Sequence, residues 1–326
     1  MRQGGQARLC CSTRWDTTGR CGALAKTDRA VRPTVMSRAP EVHDRRRARY
    51  HDDWRLARCA ARPRARGDDL PLDGGNLTSV CRVGDTVRRS TGPWSDAVHG
   101  LLRHLEVAGF AASPRFLGID PAGREILEWL QGRTVGPPPW PAWVWDEGVL
   151  TAVGRCVRGY HDAVRDFAVP PEARWRTAAG PPGHGEIICH NDIGPSNLVF
   201  DGTRVVGLID WDLAAPARPE WDLAHAAWMT VPLMSPAVAS QHGIEIRVRD
   251  QAERLRVLCD AYGMRSDVDL VDVVVRRIEA GIDSATTARQ RGDPALAGLA
   301  VFVPAMRDTV AHIRTHAPVL RRALPG

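Results

Sequence analysis

The chain has 326 residues, of which 44% are hydrophobic and 25% charged, and its formal net charge is +6. This length and composition are typical of a globular protein with one large or two smaller domains. No apolar run approaches the ~20 residues of a membrane-spanning helix, and no apolar segment follows the N-terminus as in a secretory signal. We therefore expect a cytoplasmic protein without a membrane partner.

The positive charge is concentrated at the N-terminus. Residues 1–66 contain 17 basic and 6 acidic side chains, whereas the remainder contains 27 and 32. The N-terminal region has neither a helical nor a strand period and little apolar surface, so residues 1–68 are predicted to be a disordered basic leader. Sequence translated from a start codon upstream of the true one is the alternative. Because the rest of the chain is mildly acidic, we expect no nucleic-acid partner, although a nucleic-acid-binding tail stays open.

Ordered structure is predicted from about residue 69, in two lobes. Residues 69–132 contain five short strand patterns, among them VCRV and TVRRS, and one helix between the third and fourth, with the apolar stripe Val98, Leu101, Leu102, Leu105 and Val107. The proline-rich GPPPWPAW marks a connector. Residues 133–326 begin with a long amphipathic helix and continue mostly helical. The prediction is an α+β fold with a small β-rich N-terminal lobe and a larger, mostly helical C-terminal lobe.

The sequences ICHNDIGPSNLVF (188–200) and LIDWD (208–212) contain the candidate chemistry. The strand patterns NLVFD and RVVGLIDW flank a DGT turn, and the hairpin they form would bring Asn197 beside Asp210. Carboxylate and amide oxygens are the ligands that Mg²⁺ prefers. Phosphoryl transfer also needs a carboxylate that accepts the proton of the attacking hydroxyl, and Asp192 is available for this task. His190 is predicted to support the loop by packing and hydrogen bonding.

The spacing H-x-D-x-x-x-x-N from His190 to Asn197 is that of the protein-kinase catalytic loop. Together with GLIDWDLAAPARPEWDLAHAAW, it resembles the aminoglycoside phosphotransferase family, over about residues 70–322. The resemblance implies a protein-kinase-like two-lobe fold, with ATP and Mg²⁺ as cofactors. It also implies that Asp192 is the catalytic base, that Asn197 and Asp210 bind Mg²⁺, and that Asp222 braces the catalytic loop. A helix N-cap is the alternative role for Asp222.

The resemblance also suggests where a nucleotide binds. DGGNLTS, with Gly74 and Gly75, stands where a loop would cover the phosphates. Glu128 and Leu130 stand where the hinge between lobes would meet a purine base, although this segment can also be simply the end of the last strand.

The lysine that holds the nucleotide phosphates in kinases is absent from the third strand, which reads TVRRS. Arg88 or Arg89 is expected to replace it, and side-chain alternation does not decide between them. The helix position that would supply a partner glutamate is occupied by Val98 and His99, which predicts that a histidine holds the arginine.

The sequence therefore predicts a phosphotransferase that uses ATP and Mg²⁺ to phosphorylate a hydroxyl of a small molecule, such as an aminoglycoside, an amino alcohol or a sugar. Four acidic residues after position 220 are candidates for binding a cationic acceptor, or else form a solvated helix face: Asp267, Asp269, Asp272 and Glu279. The alternative function is a catalytically weak, nucleotide-binding pseudokinase that acts as an interaction module, which the missing lysine and glutamate favour.

Overall fold

The computed structural model describes residues 70–71, 80–265, 267–292 and 297–325. The predicted leader lies outside the described residues, as do Gly74 and Gly75.

The N-terminal lobe is an antiparallel sheet of five strands in the order β1-β2-β3-β5-β4. The strands are β1 (Leu70–Pro71), β2 (Val80–Val83), β3 (Thr86–Ser90), β4 (Phe116–Ile119) and β5 (Arg124–Glu128). Gly84 turns the chain between β2 and β3 with a φ of 59°, a conformation that glycine adopts without steric cost. Since β3 pairs directly with β5, residues directly opposite each other, such as Arg89 and Glu125, lie on the same face of the sheet.

Helix α1 (Ser95–Val107) connects β3 to β4. Val98, Leu101, Leu102 and Leu105 are buried, as their helical spacing predicted. The prediction was wrong for Val107, which is 87% exposed. Two residues beyond Leu105 correspond to about 200° of rotation around the helix, so Val107 projects away from the buried stripe.

The C-terminal lobe is mostly helical. Its helices are α2 (Glu147–Val164), α3 (Pro219–Thr230), α4 (Pro236–Gln241), α5 (Val248–Tyr262), α6 (Leu270–Arg291) and α7 (Val303–Arg321). Helix α2 buries one complete stripe against its neighbours: Val149, Val153, Val157, Tyr160 and Val164. Each such side chain contributes about 1.5–3 kcal/mol by leaving water, which makes α2 the central support of this lobe.

Two small antiparallel sheets position the polar residues of the C-terminal lobe. Strand β6 (Ile187–Cys189) pairs with β9 (Ala215–Ala217), and β7 (Leu198–Asp201) pairs with β8 (Arg204–Leu208). Leu198 lies opposite Leu208, and the Ile209 amide donates to the Asn197 carbonyl at 2.9 Å. The predicted hairpin is therefore present, and Asn197 and Asp210 come one position apart across it.

These observations confirm the predicted fold class: an α+β, protein-kinase-like arrangement with a small β-rich lobe followed by a larger helical lobe. The boundary at residues 132 and 133 stays a prediction. Among the described residues, every helix is too short or too polar to cross a bilayer.

Candidate active site

The catalytic-loop candidate leaves β6 at Cys189 and turns sharply. Asn191 has a φ of 65°, in the left-handed region that asparagine and aspartate tolerate best among residues with a side chain. The Asn191 amide nitrogen Nδ2 donates to the Leu213 carbonyl at 3.0 Å, which anchors the turn to the segment after β8. The turn directs the chain from β6 to Asp192.

Asp222, in the first turn of α3, holds this loop in position through hydrogen bonds to its backbone. Its carboxylate accepts hydrogen bonds from the His190 amide at 2.7 Å, the Asn191 amide at 2.6 Å and His161 Nε2 at 3.2 Å. Burial raises the pKa of Asp222, but the hydrogen bond and charge of His161 and the loop amide of Asn191 outweigh it and hold this pKa below its ordinary value. The helix begins at Pro219 with Arg218 as its N-cap, so the alternative N-cap role of Asp222 is wrong.

His190 is fully buried between the loop and β8. Its Nε2 donates to the Ile209 carbonyl at 3.1 Å, and its Nδ1 accepts from the Asp192 amide at 3.2 Å, which assigns the neutral tautomer. Burial lowers the pKa of His190 and so keeps the ring uncharged. Its hydrogen bonds connect the start of the loop to the end of the hairpin.

Asp192 is the half-buried carboxylate at the centre of the site. Asn197 Nδ2 donates to Asp192 Oδ2 at 2.7 Å, and His225 Nε2 lies 3.3 Å from Oδ1. Burial raises the pKa of Asp192, but the hydrogen bond and charge of His225, with smaller contributions from His190 and Arg277, hold it below its ordinary value. The group is therefore ionised near neutral pH and can accept a proton.

Asn197 and Asp210 present oxygen atoms that fit a divalent cation. Because Asn197 Nδ2 is engaged by Asp192, its Oδ1 is the atom left for a cation. Asp210 has a φ of 66°, a conformation that costs of order 1–3 kcal/mol and is typical of functional sites. Its Oδ1 accepts from Arg89 at 3.0 Å, and its carboxylate is 28% exposed. The donor set of one amide oxygen and one accessible carboxylate suits Mg²⁺.

Arg89 of β3 connects the N-terminal lobe to this site. It is buried, and its Nη2 lies 3.0 Å from Asp210 Oδ1 and 2.7 Å from Asp212 Oδ1, while its Nε lies 3.5 Å from Glu125 Oε1. Burial alone would lower the pKa of Arg89, but these three carboxylates raise it above its ordinary value. A permanent cation therefore stands beside the candidate metal ligands.

The expectation that His99 holds the arginine directly was wrong. Glu125 lies directly opposite Arg89 in the β3–β5 register and accepts from the imidazole of His99 at 2.8 Å. The carboxylate partner that the helix lacks is thus supplied by the neighbouring strand, and His99 supports that carboxylate.

Arg88 and Arg89 face opposite sides of the sheet because side chains alternate along a strand. Arg88 Nε lies 3.8 Å from Asp120 in the β4–β5 turn, and its Nη1 donates to Thr86. The structure therefore brings Arg89, and not Arg88, to Asp210.

The hinge candidates end the last strand of the N-terminal lobe. The Glu128 carboxylate pairs with Arg115 at 3.1 Å, and its amide donates to the Arg115 carbonyl. Leu130 packs over Gly207 of β8, where an added Cβ would lie 2.6 Å from Leu130 Cδ1. Both residues lie where the sheet meets the hairpin, and their contact with a purine stays a prediction.

The four acidic residues suggested for a cationic acceptor are all paired with arginines. Their partners are Arg265 for Asp267, Arg321 for Asp269, Arg276 for Asp272 and Arg314 for Glu279, with side chains that are largely exposed. These contacts fit the alternative interpretation of solvated charges, but only Asp272 and Glu279 lie on a helix face, because Asp267 and Asp269 precede α6.

Three further residues of the site were missed: Asp212, His225 and Arg277. Asp212 is visible in the motif LIDWD, and His225 follows Asp222 by three residues, which places both on one face of α3. Arg277 donates to the Asn191 carbonyl from 86 residues away, and no local pattern could have indicated it.

A loop carboxylate, an amide and carboxylate across a hairpin, and a buried arginine from a small sheet together define a phosphotransferase-type centre. In agreement, the sequence model of the phosphotransferase enzyme family matches residues 94–256, half of the chain. The chain therefore belongs to the phosphotransferase enzyme family. It is also 39% identical over 201 residues to the trifolitoxin immunity protein of Rhizobium leguminosarum bv. trifolii, covering 60% of this chain and 75% of that protein.

Similar solved structures include two phosphotransferases. The macrolide 2′-phosphotransferase of Brachybacterium faecium is 15% identical, with a TM-score of 0.47 over 73% of this chain and 92% of that one. The GDP complex of aminoglycoside 2′-phosphotransferase-IIIa is 13% identical, with a TM-score of 0.48 over 81% and 98%. Because both scores lie below 0.5, the family assignment rests on the sequence matches.

Proposed function

We propose that the protein is an ATP- and Mg²⁺-dependent phosphotransferase that phosphorylates a hydroxyl group of a small molecule, with Asp192 as the catalytic base. The observation that carries this proposal is the engagement of Asp192 by Asn197 at 2.7 Å, with Asp210 one position away across the β7–β8 hairpin. The carboxylate that would accept the hydroxyl proton therefore lies next to the oxygen atoms that would bind a cation, as in-line phosphoryl transfer requires.

Each residue has a distinct task in this proposal. Asp192 accepts the hydroxyl proton while the acceptor oxygen attacks the γ-phosphorus, and the bond to the nucleoside diphosphate breaks. Asn197 and Asp210 would hold Mg²⁺, which neutralises phosphate charge when bound.

The remaining residues bind the nucleotide or support the loop. Arg89 contacts the phosphates, and Glu128 and Leu130 contact the purine base. His190 and Asp222 keep the loop in position, while Gly74 and Gly75 cover the phosphates. The need for ATP supports a cytoplasmic location.

The contact between Arg89 and Glu125 weakens the pseudokinase alternative. That alternative depended on a missing lysine and a missing glutamate, but the arginine has a carboxylate at 3.5 Å, and this carboxylate is itself hydrogen-bonded by His99. An arginine fixed in this way retains its charge and presents planar donors suited to phosphate oxygens.

The acceptor class remains broad: an antibiotic, a sugar or an amino alcohol. One relative is named as an immunity protein against trifolitoxin, so a toxic small molecule inactivated by phosphorylation is included among the candidates.

The test is phosphate transfer from γ-labelled ATP or GTP to a panel of hydroxyl compounds by the wild type and by Asp192→Asn. Removing a general base typically costs 10²–10⁴-fold, so kcat should fall by about this factor while the dissociation constant for Mg-nucleotide changes by less than about threefold. Asp201→Asn, an exposed aspartate on the same hairpin, is the control and should behave as wild type. An Asp192→Asn enzyme that turns over at the wild-type rate would refute the assignment of the base.

A further inference from the structure

Arg277 places a positive charge beside the candidate base. This half-buried residue of α6 donates from Nη2 to the Asn191 carbonyl at 2.5 Å, and its guanidinium carbon lies 5.6 Å from the Trp221 ring centroid. In the part of the chain that the structure describes, no carboxylate lies within 4 Å of its nitrogen atoms, and its buried Nε has no hydrogen-bond partner. Unsatisfied buried donors of this kind are rare in native proteins and call for an explanation.

The two carboxylates with the strongest electrostatic effect on Arg277, Asp192 and Asp222, already have other hydrogen-bond partners. Asp222 accepts from two loop amides and from His161, and Asp192 accepts from Asn197 and His225. The oxygen atoms of both carboxylates are therefore engaged by partners other than Arg277.

His225 adds a second unsatisfied atom at the same place. The residue is 8% exposed, its Nε2 faces Asp192, and its Nδ1 is buried without a partner among the described residues. A molecule bound next to Asp192 would therefore lie near the Arg277 cation, which contacts the carbonyl of the preceding residue, Asn191. The four acidic residues considered for a polycation are instead exposed and paired with arginines.

We infer that the acceptor carries an anionic group, a carboxylate or a phosphate, near its reactive hydroxyl, and that Arg277 binds this group. The inference rests on the proposed function, because it concerns the acceptor of that same reaction. Arg277 is thereby a specificity residue: its guanidinium pairs with the anion while Asp192 receives the proton from the neighbouring hydroxyl. A polycation such as an aminoglycoside would instead be repelled.

The experiment has two arms, and both use the full chain with Mg²⁺ and nucleotide. The first compares transfer from γ-labelled ATP to matched acceptors that differ in charge: glycerol 3-phosphate against glycerol, 4-hydroxybutyrate against 1,4-butanediol, and kanamycin as the polycation. We expect kcat/KM to be at least 10-fold higher for the anionic member of a pair. A preference for kanamycin or for the neutral members would overturn the inference.

The second arm measures calorimetric binding of glycerol 3-phosphate and glycerol to the enzyme loaded with a non-hydrolysable Mg-nucleotide. Glycerol 3-phosphate should bind, glycerol should not, and Arg277→Gln should weaken the phosphate compound at least 10-fold without changing nucleotide affinity. Arg276→Gln is the matched control, because this neighbour is exposed and pairs with Asp272. Equal affinity of Arg277→Gln and Arg276→Gln for glycerol 3-phosphate, or no binding of this compound to the wild type, would contradict the assignment to Arg277.

The failure of the inference is distinguishable from failure of the proposed function. If the chain neither binds Mg-nucleotide nor transfers phosphate to any compound, the function itself is wrong. If it transfers phosphate preferentially to neutral or cationic acceptors, the proposed function holds and only the inference that the acceptor carries an anionic group is wrong.

Discussion

Arg88 and Arg89 differ in environment far more than their adjacency suggests. Arg89 is buried among Glu125, Asp210 and Asp212, whereas Arg88 lies on the opposite face beside Asp120. The alternation of side chains along β3 separates them, and the pairing of β3 with β5 determines which face meets the site. This pair offers a matched comparison for the proposed phosphate contact.

Replacing Arg89 by Gln should raise the KM for nucleotide by about 10- to 100-fold, because charge-assisted hydrogen bonds contribute about 1.5–3 kcal/mol. Arg88→Gln should change it by less than about twofold. Steady-state kinetics with varied nucleotide provides the measurement, and urea denaturation verifies that both variants are folded. Equal effects of the two substitutions would show that Arg89 has no special role with phosphate.

At the scale of elements, the connection from β5 to the β7–β8 hairpin depends on close backbone contact. Arg133 and Phe200 exchange two backbone hydrogen bonds, at 3.0 and 2.9 Å, directly after Gly132. Gly132 has a φ of 147°, and a Cβ added there would lie 2.7 Å from the Phe200 carbonyl oxygen. The segment after β5 therefore approaches the hairpin so closely that a side chain at residue 132 would clash with the Phe200 carbonyl.

Gly132→Ala should destabilise the protein by about 2–4 kcal/mol, since overpacking adds to the cost of a positive φ. Gly136 also has a positive φ, 63°, but nothing lies within 4 Å of an added Cβ, so Gly136→Ala should cost only about 1–2 kcal/mol. Chemical denaturation of both variants compares them. A Gly132→Ala penalty no larger than that of Gly136→Ala would mean that the contact with Phe200 relaxes freely.

At the scale of the whole molecule, Asp222 links distant parts of the chain. Its carboxylate connects the catalytic loop to His161 of α2, and His161 Nδ1 in turn lies 2.9 Å from the Tyr262 hydroxyl of α5. Three helices and the loop thus meet at one buried charge. Because its folded-state pKa lies below the ordinary 3.8, the ionised carboxylate stabilises the fold above that pH, and the stability is lost as pH falls through the folded pKa.

Asp222→Asn should therefore cost about 3–5 kcal/mol at pH 7, because a buried charge-assisted network is broken. The penalty should remain constant to about pH 5 and shrink below about pH 4, because the unfolded wild-type chain protonates Asp222 there and the folded chain follows at lower pH. Urea denaturation at several pH values measures the difference. Asp85→Asn, whose carboxylate is 88% exposed, should show almost no penalty at any pH, and a penalty for Asp222→Asn that grows on acidification would contradict the argument.

The sequence by itself determined the elements and the central motif. The apolar period of α1 predicted its buried stripe, apart from Val107, and the amphipathic pattern predicted α2 as a long helix. The turn between NLVFD and RVVGLIDW predicted the hairpin that joins Asn197 to Asp210. These features depend on residues close in sequence, where helical or strand periodicity and turn chemistry act directly.

Only the tertiary structure decided which side chains from distant segments meet. It selected Arg89 over Arg88, supplied Glu125 in place of a helix glutamate, and brought Arg277 to the loop at Asn191. The physical reason is that ion pairs and buried hydrogen bonds depend on strand register and helix rotation, which local patterns leave undetermined. The residues of the catalytic loop can therefore be predicted from the sequence, whereas the charged side chains that surround the loop are known only from the folded structure.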